Sequence, residues 1–276
     1  MKYVIPAVLA VVLIFSIYTG VDNAHCHLTV YEVPSQNLPA GFDGFRVMQL
    51  SDLHDAEFGR NNEELIALVS GQQPDIIAIT GDLSEGEESE RVRLLVSSLA
   101  DIAPVYYITG NHEYYHRGEP LTALLEAITE GGGTVLRNTA VQLDRNGEQI
   151  TLAGIDDASF FHMDRKGRME DALIGLLSTP GYHLLLAHRP EYFSLYAQCG
   201  ADLTLSGHAH GGQVRLPFIG GLYAPQQGLF PEYDAGVFTQ GTARMVVSRG
   251  LGGDTFIPRV NNAPEAVLVI LRKTAE

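Results

Sequence analysis

The chain has 276 residues, 45% of them apolar, which is enough to build the core of one large domain or two small ones. Its formal net charge of −15 at pH 7 argues against general nucleic-acid binding, because phosphate backbones are bound by Lys and Arg. Its two cysteines, Cys26 and Cys199, exclude a disulfide framework and a cysteine zinc cluster.

The N-terminus carries an uncharged apolar run, Tyr3 to Gly20, with the sequence YVIPAVLAVVLIFSIYTG. As a helix this run would reach roughly 27 Å, close to the hydrocarbon thickness of a bilayer of about 30 Å. A cleaved signal peptide is the alternative, but only Asp22-Asn23-Ala24 stands where a small-x-small cleavage site should be. We predict that residues 1–20 are a membrane anchor. Lys2 before the run and acidic residues after it favour a domain outside the cytoplasm.

The segment after the anchor, residues 21–44, is predicted to be a connecting strand and linker. HLTVYEV alternates as a strand does, and PSQNLPAGFDG is rich in Pro and Gly. The domain proper is predicted to span residues 45–276.

Apolar strand-like runs then end abruptly in polar residues. These are FRVMQL before Ser51-Asp52-Leu53-His54, DIIAIT before Gly81-Asp82, VYYIT before Gly110-Asn111-His112-Glu113, YHLLLA before His188-Arg189-Pro190, and LTLS before Gly207-His208-Ala209-His210. Helical candidates at Asn62–Ser70, Glu87–Ala100 and Pro120–Glu130 separate the early runs. This rhythm predicts βαβ units whose strand ends gather at one edge.

The second half of the chain is richer in strands. VQLDRNGEQITLAGI predicts a hairpin with Asn146-Gly147 at its turn, and RMVVSRG and EAVLVILRK supply late strands. We therefore predict an α/β fold, a layered β-sandwich flanked by helices, in which loops from two sheets meet at one end.

The strand-end residues form a mixed set of carboxylates, a carboxamide and imidazoles: Asp52, His54, Asp82, Asn111, His188, His208 and His210. This set fits two divalent ions better than one tetrahedral zinc. Asp82 is a carboxylate that can bridge two ions. Ions about 3.5–4 Å apart can clamp the attacking and leaving oxygens of an in-line displacement, as in phosphate-ester hydrolysis.

In this order, SDLH, GD, GNHE, a solitary His after a strand and GHAHGG resemble the calcineurin-like metallophosphoesterase family, over roughly residues 45–215. The anchor, GHAHGGQ and the late SRGLGG and PRVNNAPE resemble a bacterial branch of membrane-associated phosphodiesterases, similar to UDP-2,3-diacylglucosamine pyrophosphatases.

The resemblance implies a role for each candidate residue. One ion would be held by Asp52, His54 and His210, Asp82 would bridge to a second ion, and Asn111, His188 and His208 would complete that second site. His112 would be catalytic, stabilising the phosphate and protonating the leaving oxygen, while a hydroxide bridging the ions attacks phosphorus.

The substrate implied by the resemblance is a small-molecule or lipid-linked phosphate ester, cleaved at a phosphodiester or pyrophosphate bond. UDP-2,3-diacylglucosamine is one example, and an anchor favours an amphiphilic substrate near the bilayer. The donor set allows Mn, Zn or Fe as the divalent ion. No feature of the sequence indicates a protein partner.

Two other functions compete with this interpretation. His112-Glu113-Tyr114-Tyr115-His116 matches the H-E-x-x-H signature of zinc peptidases, which requires a helix. Because the match follows a strand and Gly110-Asn111, we interpret it as coincidence and His116 as a loop residue. A non-catalytic metal-binding scaffold is the second alternative, but a scaffold has no need for an acid such as His112.

Several residues carry weaker hypotheses. Arg189 and Arg249 are candidate substrate contacts or surface salt bridges, and Asp156-Asp157 either line the rim of the site or end a strand. The acidic SEGEESE at 84–90 is predicted to be a solvated loop leading into a helix. LFPEYDAGVF is either an apolar lip or, as we expect, a loop packed on the core. The remaining histidines are predicted to be structural or exposed: His25, His27, His162 and His183.

Overall fold

The structure is a computed structural model that describes residues 18–86, 89–253 and 258–274, with the backbone alone for residues 162–165. Most of the predicted anchor, residues 1–20, lies outside these ranges. Within them, none of the helices has the length and apolar character needed to cross a membrane.

Strands dominate the chain and helices are inserted between them. The strands, in chain order, are β1 (His27–Ser35), β2 (Arg46–Leu50), β3 (Ile76–Thr80), β4 (Val105–Ile108), β5 (Thr134–Val135), β6 (Thr139–Arg145), β7 (Glu148–Gly154), β8 (His183–Leu186), β9 (Leu203–Ser206), β10 (Arg215–Leu216), β11 (Gly220–Gly221), β12 (Tyr223–Ala224), β13 (Gly228–Leu229), β14 (Gly236–Gln240), β15 (Ala243–Val247) and β16 (Glu265–Lys273). The α-helices that follow β1 in the described residues are α1 (Glu63–Gly71), α2 (Ser89–Ala100), α3 (Asn111–Tyr115), α4 (Glu119–Glu130), α5 (Arg165–Leu176) and α6 (Phe193–Gln198).

Two six-stranded sheets form the core of the fold, with strand orders β1-β16-β2-β3-β4-β5 and β14-β15-β9-β8-β7-β6. Alternate residues of each strand face opposite sides of its sheet. Val47 and Val267 of the first sheet pack against Leu184 and Leu205 of the second. The two sheets therefore lie face to face around a shared apolar layer.

Helices cover the outer faces of both sheets. Met48 and Ile77 of the first sheet share a cluster with Leu65 of α1, Val96 of α2 and Leu124 of α4. On the second sheet, a separate cluster brings strand residues against Leu173 of α5 and Leu195 of α6. The predicted α/β fold is confirmed, as are the three helical candidates and the hairpin.

The position of β1 differs from the predicted start of the domain at residue 45. Residues 27–35, assigned from sequence to a connecting segment, pair in parallel with β16 from His27↔Glu265 to Ser35↔Lys273. Because β16 is buried from Glu265 to Leu271, its backbone needs hydrogen-bond partners on both sides, which β1 and β2 supply. The folded domain therefore begins at β1.

The carboxyl ends of the central parallel strands of the two sheets lie side by side. β2, β3 and β4 run parallel in one sheet, and β7, β8 and β9 run parallel in the other. Near these carboxyl ends, the buried Gln49 amide donates to Thr80 Oγ1 at 3.1 Å and to the Ser206 carbonyl at 2.9 Å. This bridge holds the two sets of strand ends side by side.

Candidate functional site

The structure brings the predicted strand-end residues into one buried cluster. Asp52, Asp82, Asn111, His188, His208 and His210 are all buried, and the His54 side chain is only 6% exposed. They come from loops at the ends of β2, β3, β4, β8 and β9, as the alternation of strands and polar residues predicts.

The predicted metal ligands contribute to two groups of potential donor atoms that share one residue. Asp52, His54, Asp82 and His210 form the first group, and Asp82, His188 and His208 form the second. Within each group one ligand atom per residue lies within 4.8 Å of all the others. Asn111 joins the second group, since its Oδ1 lies 3.2 Å from His188 Nε2.

The two oxygens of Asp82 have different partners. Oδ1 accepts a hydrogen bond from the His112 backbone amide at 2.9 Å. Oδ2 lies 3.2 Å from His188 Nε2 and 3.8 Å from His54 Nε2, so it is the atom that faces both groups. Burial opposes the charge on Asp82, but His188 and His54 outweigh it and hold the pKa of this carboxyl well below its usual range.

Within the second group, His188 is oriented through its Nδ1 atom. His188 Nδ1 donates to the Thr80 carbonyl at 2.8 Å, which turns Nε2 toward Asp82. Burial lowers the pKa of His188, but the charge of Asp82 raises it to about 10. Burial, followed by the charges of His188 and Arg189, lowers the pKa of His208 to about 3.

His210 is also neutral near pH 7. Burial lowers its pKa to about 3 and outweighs the opposing effect of Asp52. Its Nε2 lies 3.3 Å from His54 Nε2 and 3.5 Å from Asp52 Oδ1. A neutral imidazole is the form in which histidine binds a metal.

The backbone of the site is strained at the residues that carry the donors. Asp52, His54, Asp82, His208 and His210 all have positive φ, between 47° and 66°. For residues other than Gly this left-handed conformation costs roughly 1 kcal/mol or more each. Strain of this kind persists where the surrounding structure over-determines it, and five of the seven predicted ligands have this conformation.

The comparisons with known proteins agree with this geometry. Residues 45–212, more than half of the chain, match the calcineurin-like phosphoesterase family. The chain belongs to the calcineurin-like phosphoesterase family. It is therefore a metallophosphoesterase, a hydrolase of phosphate esters.

Related proteins extend the match beyond the family motifs. This metallophosphoesterase is 30% identical over 253 residues to the uncharacterized metallophosphoesterase YkuE of Bacillus subtilis, covering 89% of this chain and 85% of the relative. It is 30% identical over 232 residues to the phosphodiesterase YaeI of Escherichia coli, covering 82% of each chain.

A solved structure shares the fold. The 5'-nucleotidase precursor of Thermus thermophilus aligns with a TM-score of 0.51 and 14% identity over 82% of this chain. The metallophosphoesterase spans about half of that protein, 54% of its length.

Glu85 is a site residue that the sequence interpretation missed. It lies in the acidic segment 84–90, which was predicted to be solvated, yet its carboxylate is 2.6 Å from His54 Nδ1 and 3.0 Å from His112 Nδ1. The prediction of a purely solvated loop is wrong at this residue. Its position three residues after Asp82 is the only signal that could have placed it beside the strand ends.

His112 lies against the first group without belonging to it. Its ring meets that of His54 edge-on, with centroids 4.5 Å apart, and its side chain is 33% exposed. Burial lowers the pKa of His112, but the hydrogen bond to Glu85 and the charge of Asp82 raise it to about 9. His54, Glu85 and His112 form a third compact group, in which Glu85 is hydrogen-bonded to both histidines.

The peptidase motif forms a helix, contrary to our expectation, but its glutamate is turned away. Residues Asn111–Tyr115 make the short helix α3, and His116 follows at its end. The buried Glu113 carboxylate accepts hydrogen bonds from the backbone amides of Gly110, Asp82 and Leu83 at 2.6–3.0 Å. It is committed to the backbone and cannot serve as the base between His112 and His116, so the geometry does not support the peptidase alternative.

The weaker candidates are engaged in ion pairs. Arg189 is buried and donates to Asp157 at 2.6 Å, while its Nη1 lies 3.5 Å from His208 Nε2. Arg249 donates to Glu265 at 2.8 Å. Asp156, for which the rim of the site and the end of a strand are the two alternatives, is buried and binds Arg137.

The remaining predictions concern histidines outside the site and the loop LFPEYDAGVF. His183 is structural, since its ring nitrogens bind the carbonyls of Gly200 and Thr179, whereas His25 is exposed. The side chain of His162 lies outside the described residues. The loop LFPEYDAGVF packs on the core through Tyr233, which contacts Phe193 and Phe238, but its first two residues, 229 and 230, are exposed.

Glycines precede Asp82, Asn111 and His208 because a side chain there would strike a neighbouring part of the site. A Cβ on Gly110 would lie 2.6 Å from the Asp82 amide nitrogen and would collide with its carboxylate. A Cβ on Gly207 would collide with Ser51 Oγ and with the Asp52 carboxylate. The repeated glycine of GD, GN and GH is therefore a packing requirement of this site.

Gly207→Ala is expected to destabilise the protein by about 1–3 kcal/mol, because the added methyl group overpacks Ser51 and Asp52. At roughly 2–4 °C per kcal/mol for a chain of this size, the midpoint of thermal unfolding should fall by several degrees. Gly71→Ala is the matched control, since a Cβ there meets nothing within 4 Å. Equal midpoints for the two variants would contradict the packing argument.

Proposed function

We propose that this metallophosphoesterase is a phosphodiesterase that uses two divalent metal ions. The observation that carries the proposal is the position of Asp82 Oδ2, which faces His188 on one side and His54 on the other. A carboxylate shared between two groups of donors is what a dinuclear centre requires.

The residues present fit such a centre. The donors are nitrogen and oxygen atoms without a thiolate, which suits Mn, Zn or Fe. The first ion would take Asp52, His54 and His210, the second would take Asn111, His188 and His208, and Asp82 would contact both. Bound there, the ions would polarise a phosphoryl oxygen and lower the pKa of a bound water.

The chain itself supplies the proton for the leaving group. Glu85 lies 3.0 Å from His112 Nδ1 and fixes the direction of the ring, so Nε2 is the nitrogen available to a substrate. As water forms its bond to phosphorus and the ester P–O bond breaks, His112 would donate a proton to the departing oxygen. Because His112 is partly exposed beside the buried cluster, it can reach a substrate bound at the metal centre.

A diester is the bond type we favour, because the relative YaeI is named a phosphodiesterase and shares 30% identity across most of both chains. We also propose that residues 1–20 anchor the chain in a membrane with the domain outside the cytoplasm. The uncharged run Tyr3–Gly20 and the charges that flank it support this arrangement. A lipid-linked phosphate ester would then be within reach of the domain.

Restoring metal to stripped protein tests the proposal directly. After chelation, hydrolysis of bis-p-nitrophenyl phosphate should be lost, and Mn²⁺, Zn²⁺ or Fe²⁺ should restore it with a stoichiometry near two ions per chain. p-Nitrophenyl phosphate, a monoester, should be cleaved more slowly if the enzyme prefers diesters. Restored activity with a single bound ion would rule out the dinuclear centre.

A further inference from the structure

An exposed apolar surface lies next to the site, on the two hairpins β10–β11 and β12–β13. Phe218 is 109% exposed and Ile219 65% exposed at the tip of the first hairpin. Leu229 is 68% exposed and Phe230 58% exposed on the second. We call these four residues the apolar tips. Large apolar side chains that are exposed within one short segment favour a surface that meets a partner.

Apart from Arg215 at the start of β10, the hairpins carry no charged residue. Residues 216–231 contain no Asp, Glu, Lys or Arg, in a chain of net charge −15 in which 18% of residues are charged. The nearest basic residue, Arg215, is paired with Asp234 at 2.9 Å. An uncharged surface with exposed Phe, Leu and Ile matches the composition that enters the headgroup region of a bilayer.

The apolar tips and the site belong to the same end of the molecule. Both hairpins follow β9 and the loop that carries His208 and His210. Gln226, in the turn between β12 and β13, places its Oε1 2.6 Å from His208 Nε2. Leu222, between the hairpins, donates through its amide to the Gly212 carbonyl at 3.2 Å. One segment therefore contributes a side chain to the site and the apolar tips to solvent.

The described residues just before β1 lie at this same edge. β1 is parallel to β16, which is antiparallel to β2, so His27 lies at the edge where β2 delivers Asp52. Just before β1, Asn23 donates to the Arg259 carbonyl at 2.9 Å. Arg259 in turn donates to the Gly252 carbonyl, and the Gly252 amide donates to the Asp52 carbonyl, both at 2.6 Å.

We propose that the apolar tips are a bilayer-docking surface that holds the site against the membrane. The end of the N-terminal run supports a bilayer as the occupant, because Tyr18 within it and Val21 just after it are 55% and 58% exposed. The two apolar features come from distant parts of the chain, and the contacts of Asn23 and Gln226 place both near the end of the molecule that carries the site. Docking does not depend on catalysis, whereas the presentation of a membrane-embedded phosphate ester to the site rests on the proposed function.

Depth-dependent quenching tests the docking surface. The full-length protein, with both free cysteines changed (Cys26→Ser and Cys199→Ser), carries Phe218→Cys labelled with an environment-sensitive fluorophore. Thr242→Cys is the matched control. This residue is exposed in the β14–β15 turn, at the end of the second sheet that faces away from the site. Each is reconstituted in phosphatidylcholine vesicles that contain nitroxide-labelled lipid.

The label at position 218 should be quenched several-fold more strongly than the label at 242. Equal quenching at the two positions would overturn the proposal. So would protection of the 218 label that grows with protein concentration in the absence of vesicles, because the surface would then meet a second copy of the chain.

A combined Phe218→Ser, Ile219→Ser, Leu229→Ser and Phe230→Ser variant links docking to substrate access. It should cleave soluble bis-p-nitrophenyl phosphate at the normal rate and a vesicle-embedded phospholipid diester about tenfold more slowly. An unchanged rate on the vesicle substrate would contradict the presentation role. Quenching at 218 by a protein that hydrolyses neither substrate would support docking and remove the phosphodiesterase proposal.

Discussion

Asp82→Ala is expected to lower kcat/KM for diester hydrolysis by about 10³-fold or more, since the loss of a bridging ligand removes several kcal/mol of transition-state stabilisation. Oδ2 of Asp82 is the oxygen that faces both donor groups, at 3.2 Å from His188 and 3.8 Å from His54. Its removal should therefore weaken the binding of both ions. Steady-state kinetics and metal content by mass spectrometry give the two readouts.

Two further variants serve as controls for Asp82→Ala. Asp82→Asn preserves the shape of the side chain and its contact with the His112 amide, so it separates loss of the charge from loss of folding. Asp101→Ala removes an exposed aspartate that precedes β4, at the end of that strand opposite Asn111, and should behave as the parent enzyme. An Asp82→Ala protein that retains two ions and near-normal turnover would show that Asp82 does not bridge.

His112→Ala is expected to lower kcat by about 10²–10⁴-fold while both ions stay bound, because general acid catalysis contributes on that scale. The loss should depend on the leaving group. p-Nitrophenolate departs with little help from a proton, whereas an alkoxide needs one, so an alkyl diester should suffer the larger loss. His25→Ala, whose side chain is 63% exposed and outside the site, is the control.

The metal content of the His112→Ala protein separates two functions for this residue. His112 also lies in a compact group with His54 and Glu85. If the variant loses an ion, that third group binds metal and His112 is a ligand. An equal loss of rate on aryl and alkyl diesters with both ions present would instead contradict its role as the acid.

The type of donor atoms, the family and the fold class could be predicted from the sequence alone. Strand-like runs that each end in Asp, Asn or His predict donors at one edge, because the carboxyl ends of parallel strands meet there. The identities of those side chains predict a metal centre of nitrogen and oxygen donors, and their order identifies the family. The alternation of apolar runs with helical segments likewise predicts the α/β class. These properties follow from residue type and local periodicity, which a linear sequence contains.

The tertiary structure alone decided how the site is built. In the tertiary structure, Oδ2 of Asp82 is the oxygen that faces both donor groups. Glu85, in a loop predicted to be solvated, contacts two histidines, and Gln226 contacts His208. The tertiary structure also pairs β1 with β16, at opposite ends of the chain. The physical reason is that these contacts depend on the paths of loops with no periodic pattern, and on strained backbone that long-range packing stabilises.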